Sequence, residues 1–167
     1  RPAPTGIADY GVEYNGGVLQ TYELTFNEIV GQVEFQGQTT GYNVDGGPNA
    51  FSVQLNAVIY VSTSSGPQEL WAQDVAEISN NEMFFADNLW NFTAQNAQLY
   101  GVSGSGTNHG QYYSYATQLM PFQPSFNLLI SVRQASADSI VISFGYEISN
   151  TIVWFDNVTV TFGSQVY

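Results

Sequence analysis

Apolar and polar residues alternate along residues 51–61, which is the pattern of a strand with one buried face. Similar runs rich in Val, Ile, Phe, Tyr and Trp recur along the chain, with Gly, Asn and Ser between them, and helix signals are nearly absent. Two packed antiparallel sheets are the simplest way for such strands to bury their apolar faces. The sequence therefore predicts an all-β fold, an antiparallel β-sandwich of jelly-roll type. With 167 residues and no break in composition, a single domain over residues 1–167 is expected.

The other strands are placed by the same alternation and by turn residues between the runs. The predicted strands are residues 18–24, 28–35 and 151–162, a hairpin of 69–78 with 83–92 around Ser79-Asn80-Asn81, and a hairpin of 126–134 with 139–148 around Ala135-Ser136-Ala137-Asp138. Residues 101–110, rich in Gly and Ser, are predicted as a long loop that runs into an aromatic strand. Such a loop suits a binding site and a mobile surface segment equally well.

Acidic residues greatly outnumber basic ones. Fourteen Asp and Glu face two Arg and no Lys, so the formal net charge is -12 at pH 7. In strong acid the carboxyls are neutral and the few bases give a charge of only about +4. A chain with few ion pairs to lose and few cations to repel suits an acidic medium, although a solubility role or an ordinary acidic surface would give the same count. Because phosphate contacts need Lys and Arg, nucleic acid and anionic membranes are disfavoured as partners.

Several features favour a secreted or cell-surface protein. No apolar run approaches a membrane span, which predicts no membrane insertion, while the absence of cysteine excludes disulfides and leaves the compartment open. Its start at Arg1 rather than Met favours a processed N-terminus. The sequons at Asn91 and Asn157 predict glycosylation. Together with the acid-tolerant composition, these features predict an extracellular glycoprotein.

No metal and no other cofactor is predicted. A single His and no Cys leave zinc to carboxylates alone, and Asn43-Val44-Asp45-Gly46-Gly47 is better explained as a turn than as a calcium loop. His109 lies in the glycine-rich loop and is expected to be exposed and inert. Because imidazole is protonated in acid, His109 is also unsuited as the base of a serine triad there.

Carboxyl groups are the remaining candidates for chemistry. Four of them lie inside otherwise apolar strands, where Asp and Glu are disfavoured: Asp74, Asp87, Glu147 and Asp156. For each residue alone, a solvated strand face or a hydrogen bond to backbone is a sufficient explanation. As a set beside aromatic residues they predict a site, since two carboxyls held close shift one pKa upward and can share a proton.

Alternation leaves the orientation of Asp74 open. Asp74 and Gln73 point to opposite faces of one strand, and both faces are partly apolar. Gln54 lies on the polar face of its own strand. A concave sheet face bearing Gln54, Gln73 or Asp74, and Glu147 is predicted to hold an extended peptide, although Trp, Tyr and Asn on such a face would also suit a sugar.

Short segments along the chain resemble the thermopsin family of archaeal acid proteases. They are Pro2-Ala3-Pro4-Thr5-Gly6-Ile7-Ala8-Asp9-Tyr10-Gly11, Ser52-Val53-Gln54-Leu55-Asn56, Leu70-Trp71-Ala72-Gln73-Asp74-Val75, Phe85-Ala86-Asp87-Asn88-Leu89-Trp90-Asn91, Ser143-Phe144-Gly145-Tyr146 and Val153-Trp154-Phe155-Asp156-Asn157-Val158. The resemblance implies a secreted endopeptidase of a thermoacidophile, tolerant of heat and acid, with a broad preference for large apolar side chains and no metal. Family members are usually longer, which leaves open whether this chain is active alone.

The site residues are expected from residue chemistry. A water activated by one carboxylate would attack the scissile carbonyl of a polypeptide substrate, and a second carboxyl or a side-chain amide would stabilise the oxyanion and donate a proton. The acidic candidates are Asp74, Asp87 and Asp156, followed by Glu147 and Asp9. The amide candidates are Gln54 and Gln73.

Aromatic residues are the candidates for substrate contact: Trp71, Trp90, Tyr112 and Tyr113. Two other functions fit the same composition. One is a non-catalytic extracellular subunit of a filament, sheath or surface layer that assembles through strand edges. The other is a carbohydrate-binding module in which these aromatic residues contact sugar, although a buried core would explain many of them equally well.

Overall fold

The structure is a computed structural model that describes residues 12–21, 27–37, 43–44, 47–48, 50–63, 66–93 and 97–162. Within these ranges the regular structure is entirely β. The strands are β1 (Val12–Asn15), β2 (Val18–Thr21), β3 (Glu28–Glu34), β4 (Asn43–Val44), β5 (Gly47–Pro48), β6 (Phe51–Thr63), β7 (Gly66–Ser79), β8 (Glu82–Asn91), β9 (Val102–Ser103), β10 (Thr107–Asn108), β11 (Tyr112–Ala116), β12 (Met120–Pro121), β13 (Ser125–Ser136), β14 (Ser139–Ile148) and β15 (Thr151–Thr161). No helix of the described residues is long and apolar enough to cross a membrane.

Two antiparallel sheets pack face to face and confirm the predicted β-sandwich. The six-stranded sheet has the order β10-β11-β8-β7-β6, with β12 also paired to β8, and the five-stranded sheet has the order β3-β13-β14-β15-β9. The pairs β1-β2 and β4-β5 form two further small sheets. The segment predicted as a long loop contains β9 and β10, so it crosses from one sheet of the sandwich to the other.

Turn residues that adopt positive φ set the register of two hairpins. β7 and β8 are joined by Asn80 and Asn81, with φ of 51° and 66°. β14 and β15 are joined by Ser149 and Asn150, with φ of 50° and 63°. Two-residue loops with positive φ at both positions match the twist of antiparallel strands. The first of these turns fixes the register of β7 against β8, the pair that carries most of the candidate site.

Most predicted strands are present. β6 confirms the alternation of residues 51–61, since its even-numbered residues are exposed while the odd-numbered ones face the other sheet. The hairpins β7–β8 and β13–β14 and the last strand, β15, also lie where they are predicted. β2 and β3 match the first two predicted strands, although residues 22–26 lie outside the described residues. In the predicted turn at residues 43–47, the flanking residues pair as β4 and β5.

Apolar side chains between the sheets form two clusters. One is centred on Leu89 and Phe144 and the other on Phe85, and all three side chains are 0% exposed. Each such side chain contributes about 1.5–3 kcal/mol to the free energy of unfolding. Leu55 and Phe155 pack against both clusters. Two buried polar side chains lie beside these residues: Asp74 is the register partner of Leu55, and Asp156 follows Phe155 in the chain.

Candidate functional site

Three aspartates are buried between the sheets. Asp74 on β7, Asp87 on β8 and Asp156 on β15 are 0%, 0% and 1% exposed. Asp74 and Asp87 lie directly opposite one another in the register of their strands. Leu55, which packs against both apolar clusters, is the partner of Asp74 on the next strand. The structure therefore brings the three leading acidic candidates together where the apolar clusters adjoin.

A β-bulge beside Asp156 directs a second, adjacent side chain into the interior. The register of β14 and β15 shifts between Phe144, which lies opposite Asp156, and Gly145, which lies opposite Trp154. Phe155 is therefore the extra residue of the bulge. It packs against both apolar clusters while Asp156 is buried beside it. Two consecutive side chains thus point inward, where strict alternation would direct only one of them.

Asp156 accepts two hydrogen bonds from distant parts of the chain. The backbone N–H of Ser105 donates to its Oδ1 at 2.9 Å, and the Tyr113 hydroxyl donates to its Oδ2 at 2.6 Å. The Tyr113 oxygen in turn accepts from the backbone N–H of Gly106 at 2.6 Å. Burial, together with the hydrogen bond to Asp156, raises the pKa of Tyr113, so the phenol stays a donor. Hydrogen bonds to a carboxylate are roughly twice as strong as those between neutral groups.

Asp87 has no comparable support. Among the described residues, no donor lies in hydrogen-bonding geometry to either of its carboxyl oxygens. Burial is the main cause that raises its pKa to about 9, and the neighbouring carboxyl of Asp156 adds to the shift. Since two carboxyls bond to each other only when one carries a proton, the surroundings assign that proton to Asp87.

Asp74 connects the two sheets. Its Oδ2 accepts a hydrogen bond from the backbone N–H of Leu129 on β13 at 3.0 Å, and its Oδ1 has no partner among the described residues. Burial raises the pKa of Asp74 to about 8, although the backbone N–H groups of Leu129, Gly145 and Val75 oppose that shift. Asp74 therefore holds a proton in acidic and neutral solution and acts as a polar anchor between the sheets.

An open cleft of about 480 Å³ lies beside the three acids. One wall is formed by residues 105–107 and His109, and the other by residues of β8 and β11. Asp87 is the member of the buried set that lines this cleft. Phe84, Ala86 and Asn88 also line the cleft and point to the opposite face of β8 from Asp87, so a substrate in the cleft is separated from the fully buried Asp87 carboxyl by the strand itself.

Two glycines allow the cleft wall to lie close to the acids. A Cβ on Gly104 would overlap the Tyr113 hydroxyl and lie 3.1 Å from Asp156 Oδ1. A Cβ on Gly106 would overlap the backbone carbonyl oxygen of Ser114. Any larger residue would push the segment outward and weaken the bonds that it makes to Asp156 and Tyr113. The high glycine content of this segment thus has a structural cause.

Glu77 and His109 add two titratable groups to the cleft. Glu77 is half-buried, and burial raises its pKa. His109 is exposed, as expected; its Nε2 lies 3.1 Å from Ser114 Oγ, and its ring stacks on Tyr112 with centroids 4.6 Å apart. Sequence reasoning missed Glu77. Both faces of its strand are partly apolar, so the sequence does not distinguish a half-buried acid at this position from an exposed one. Sequence reasoning also missed the backbone N–H of Ser105, which no residue type signals.

The amide candidates lie on the outer face of the six-stranded sheet, away from the acids. Gln73 Nε2 donates to Gln54 Oε1 at 3.2 Å and to Asn56 Oδ1 at 2.9 Å. Its Oε1 accepts from Trp90 Nε1 at 3.1 Å. The structure thus separates these amides from Asp74, because adjacent residues of β7 point to opposite faces.

Three of the four aromatic candidates share that outer face. Trp71, Trp90 and Tyr112 are direct register neighbours on β7, β8 and β11. Trp90 and Tyr112 stack with centroids 4.7 Å apart, and Trp71 lies 6.3 Å from Trp90. Tyr113 points the other way and is 1% exposed, with its hydroxyl on Asp156. The rings of Trp71, Trp90 and Tyr112 therefore contact one another rather than the buried acids.

The remaining acidic candidates lie elsewhere. Glu147 is the register partner of the exposed Ile152 on the outer face of the five-stranded sheet, and its Oε2 accepts from Asn127 Nδ2 at 3.3 Å. Asp9 lies outside the described residues. Across the ranges that the structure describes, no three or more His, Asp or Glu side chains are arranged to hold a metal ion.

Both sequons lie on strands at the surface. The side chain of Asn91 is half-buried and donates to the carbonyl oxygen of Gln98 at 3.0 Å. Asn157 is exposed, and its Oδ1 accepts from Ser143 Oγ at 2.6 Å. Glycosylation at these positions stays a prediction.

Comparison with known proteins agrees with the resemblance seen in the sequence. A model of the Thermopsin family matches residues 1–166. The chain is 35% identical over 118 residues to "Thermopsin" of Sulfolobus acidocaldarius, an alignment that covers 66% of this chain and 34% of that relative. It thus spans about a third of the relative's length. No solved structure matches the chain. Because the family model covers nearly the whole sequence, the protein belongs to the thermopsin family.

Proposed function

We propose that this chain is a domain of a secreted, acid-tolerant endopeptidase that hydrolyses polypeptides with Asp87 and Asp156 as its catalytic carboxyl pair. One observation carries the proposal. Asp87, a fully buried carboxyl without a donor, belongs to a strand that borders a cleft and lies beside Asp156, a carboxyl with two donors. Membership of the thermopsin family supports peptidase chemistry, and the net charge of -12 supports an acidic extracellular medium.

The pair starts with one proton, which Asp87 holds in a hydrogen bond to the Asp156 carboxylate. A water molecule attacks the scissile carbonyl carbon as Asp87 takes up one of its protons and passes its own to Asp156. The C–N bond then breaks, the leaving amine takes a proton from Asp87, and Asp156 returns the shared proton. Water has then been added across the peptide bond and the pair again holds one proton.

The surrounding residues divide the roles of the two carboxyls. The bonds from Ser105 and Tyr113 are of the kind that a carboxylate accepts, which suits Asp156 as the proton acceptor. Burial, together with the neighbouring charge of Asp156, favours the protonated form of Asp87. Because Asp87 is 0% exposed, substrate binding is expected to require a rearrangement that uncovers its carboxyl.

Hydrolysis of an unfolded protein substrate tests the proposal, measured from about pH 1 to pH 7, which spans the reference pKa values of carboxyl groups. We expect cleavage that peaks in acid. Asp87→Asn and Asp156→Asn should each lower the rate by at least about 100-fold, the range typical of a lost acid or base. Asp138→Asn is the matched control, because Asp138 lies exposed in the turn between β13 and β14.

Circular dichroism of each variant separates lost chemistry from lost folding. A folded wild-type chain without acid-dependent cleavage would contradict the proposal. So would a cleavage rate that survives both Asp87→Asn and Asp156→Asn.

A further inference from the structure

β6 is a long edge strand without the usual protection. Within the described ranges it pairs with β7 along its whole length, and its residues 51–62 have no strand on their other side. Its 13 residues include no charged side chain and no proline. Edge strands of soluble proteins normally carry charges, prolines or bulges or are short, because free backbone N–H and C=O groups readily add another strand.

β3, the edge of the five-stranded sheet, is protected in the usual way. It has 7 residues, and Glu28 and Glu34 are both exposed. It also carries an exposed apolar residue, Val30, which is 50% exposed, as β6 carries Val58 at 39% and Tyr60 at 66%. The two edges therefore resemble each other in exposed apolar surface and differ in charge.

We propose that β6 pairs in antiparallel fashion with β6 of a second copy of this chain, across a two-fold axis at Ala57. The pairing joins two six-stranded sheets through their free edges. This contact lies apart from the buried acid cluster of Asp74, Asp87 and Asp156, and it does not depend on the proposed peptidase activity.

The residue pattern of β6 is self-complementary about Ala57. Ala57 is the midpoint of the strand, and its small side chain suits the position where a residue faces its own copy. The register places Leu55 opposite Ile59, and Val53 opposite Val61, of the second copy. All five residues lie on the inward face, where they are buried or half-buried. An antiparallel pair keeps the two inward faces on one side only in registers of this parity.

The same pairing partly buries the exposed face of β6. Val58 comes opposite Asn56, and Tyr60 opposite Gln54, of the second copy, which pairs each exposed apolar side chain with an amide. The chain carries a net charge of -12, so two copies approach best through an uncharged surface. β6 provides such a surface over its whole length, and a copy of itself satisfies both the symmetry and the charge.

Analytical ultracentrifugation over a range of protein concentrations in acidic buffer tests the pairing. The wild type is expected to shift from 18.3 kDa to twice that mass as concentration rises. Val58→Lys with Tyr60→Lys should weaken association by at least about tenfold, because lysines on an edge strand oppose strand addition. Both residues lie outside the acid cluster. Val30→Lys on β3 is the matched control and should associate like the wild type.

Hydrogen–deuterium exchange distinguishes backbone pairing from side-chain contact. Amide exchange within β6 should slow as the wild-type concentration rises and should stay constant in the Val58→Lys/Tyr60→Lys variant. A chain that stays monomeric at every concentration overturns the proposal. A dimer that persists in the double-lysine variant, or one that leaves exchange in β6 unchanged, overturns it as well.

Discussion

The two faces of the six-stranded sheet accommodate buried polar groups in opposite ways. On the outer face, Gln73 is 8% exposed, and both its nitrogen and its oxygen have hydrogen-bond partners. On the inner face, the next residue, Asp74, keeps one oxygen without a partner among the described residues. Asp87, opposite Asp74 on β8, keeps two. Adjacent residues of β7 therefore lie in two different environments. Gln73 belongs to an amide network in which its polar atoms are hydrogen-bonded, and Asp74 belongs to a group of buried acids with oxygens that have no partner among the described residues.

This difference indicates which of the two faces depends more strongly on the pH of the medium. Amides and indoles do not titrate, so the outer network is the same in acid and at neutral pH. The inner carboxyls avoid buried negative charge only while they hold protons. Protons are thus structural components of the interior, and changes in pH should act most strongly on the inner face.

Raising the pH is expected to give the largest effect. The pKa of Asp74 is raised to about 8 and that of Asp87 to about 9, from an ordinary carboxyl value of 3.8. Above about pH 4 the unfolded chain releases protons that the folded chain keeps. The stabilising contribution is therefore complete below about pH 4 and is lost as the pH rises through 8 to 9. For Asp74 alone it is on the order of 5 kcal/mol.

Thermal unfolding followed by circular dichroism measures this loss. Asp74→Asn should flatten the pH dependence, because an amide has no proton to release. Asp138→Asn removes the same formal charge from an exposed turn and should leave the slope nearly unchanged. A melting temperature that stays constant or rises between acid and neutral pH would show that the interior does not depend on its protons.

Gly106→Ala is expected to give the next largest effect. The added Cβ overlaps the Ser114 carbonyl oxygen, so the segment has to move and the bond to Tyr113 is lost. We expect a fall of about 3 kcal/mol in the free energy of unfolding, as for an overpacked site. Gly37→Ala, where nothing lies within 4 Å of the new Cβ, is the control and should be nearly neutral. Equal stability of the two variants in denaturant titrations would contradict the close approach.

Tyr113→Phe and Tyr112→Phe compare the two faces directly, because the residues are neighbours on β11 with opposite orientations. Loss of the Tyr113 hydroxyl removes a 2.6 Å bond to Asp156 and is expected to lower the free energy of unfolding by about 2 kcal/mol. Tyr112→Phe should stay within about 0.5 kcal/mol of the wild type. Urea unfolding at one acidic pH measures both values, and a larger loss for Tyr112→Phe would reverse the assignment of the faces.

Gln73→Leu is expected to give the smallest effect, about 1 kcal/mol, since the groups that lose their partner are near the surface. The loss should be the same in acid and at neutral pH, because no member of the amide network titrates. Urea titrations at both pH values check this. A loss that grows with pH would mean that the outer face is coupled to the acids.

The sequence predicted the fold well where local pattern determines structure. Alternation along β6 identified both its extent and its faces. The turn at Asn80 and Asn81 placed the β7–β8 hairpin. Residues 101–110 were harder, because β9 and β10 have two residues each and depend on pairing with distant strands.

The candidate site was predictable in its residue types but not in its geometry. Asp74, Asp87 and Asp156 were selected because acids are disfavoured in apolar strands, and the structure brings them together. Both faces of β7 are partly apolar, so sequence alone did not separate Asp74 from Gln73. The bulge at Phe155 has no residue signature. Alternation could not therefore show which way Asp156 points.

That bulge has an evolutionary consequence. Removing the codon for Phe155 would restore regular alternation with Asp156 still opposite Phe144 and Trp154 still opposite Gly145. Such a deletion would take one ring from both apolar clusters and leave every buried carboxyl in place. Lineages should therefore tolerate the loss of this one residue better than the loss of any neighbour in β15, which would shift the strand against β14.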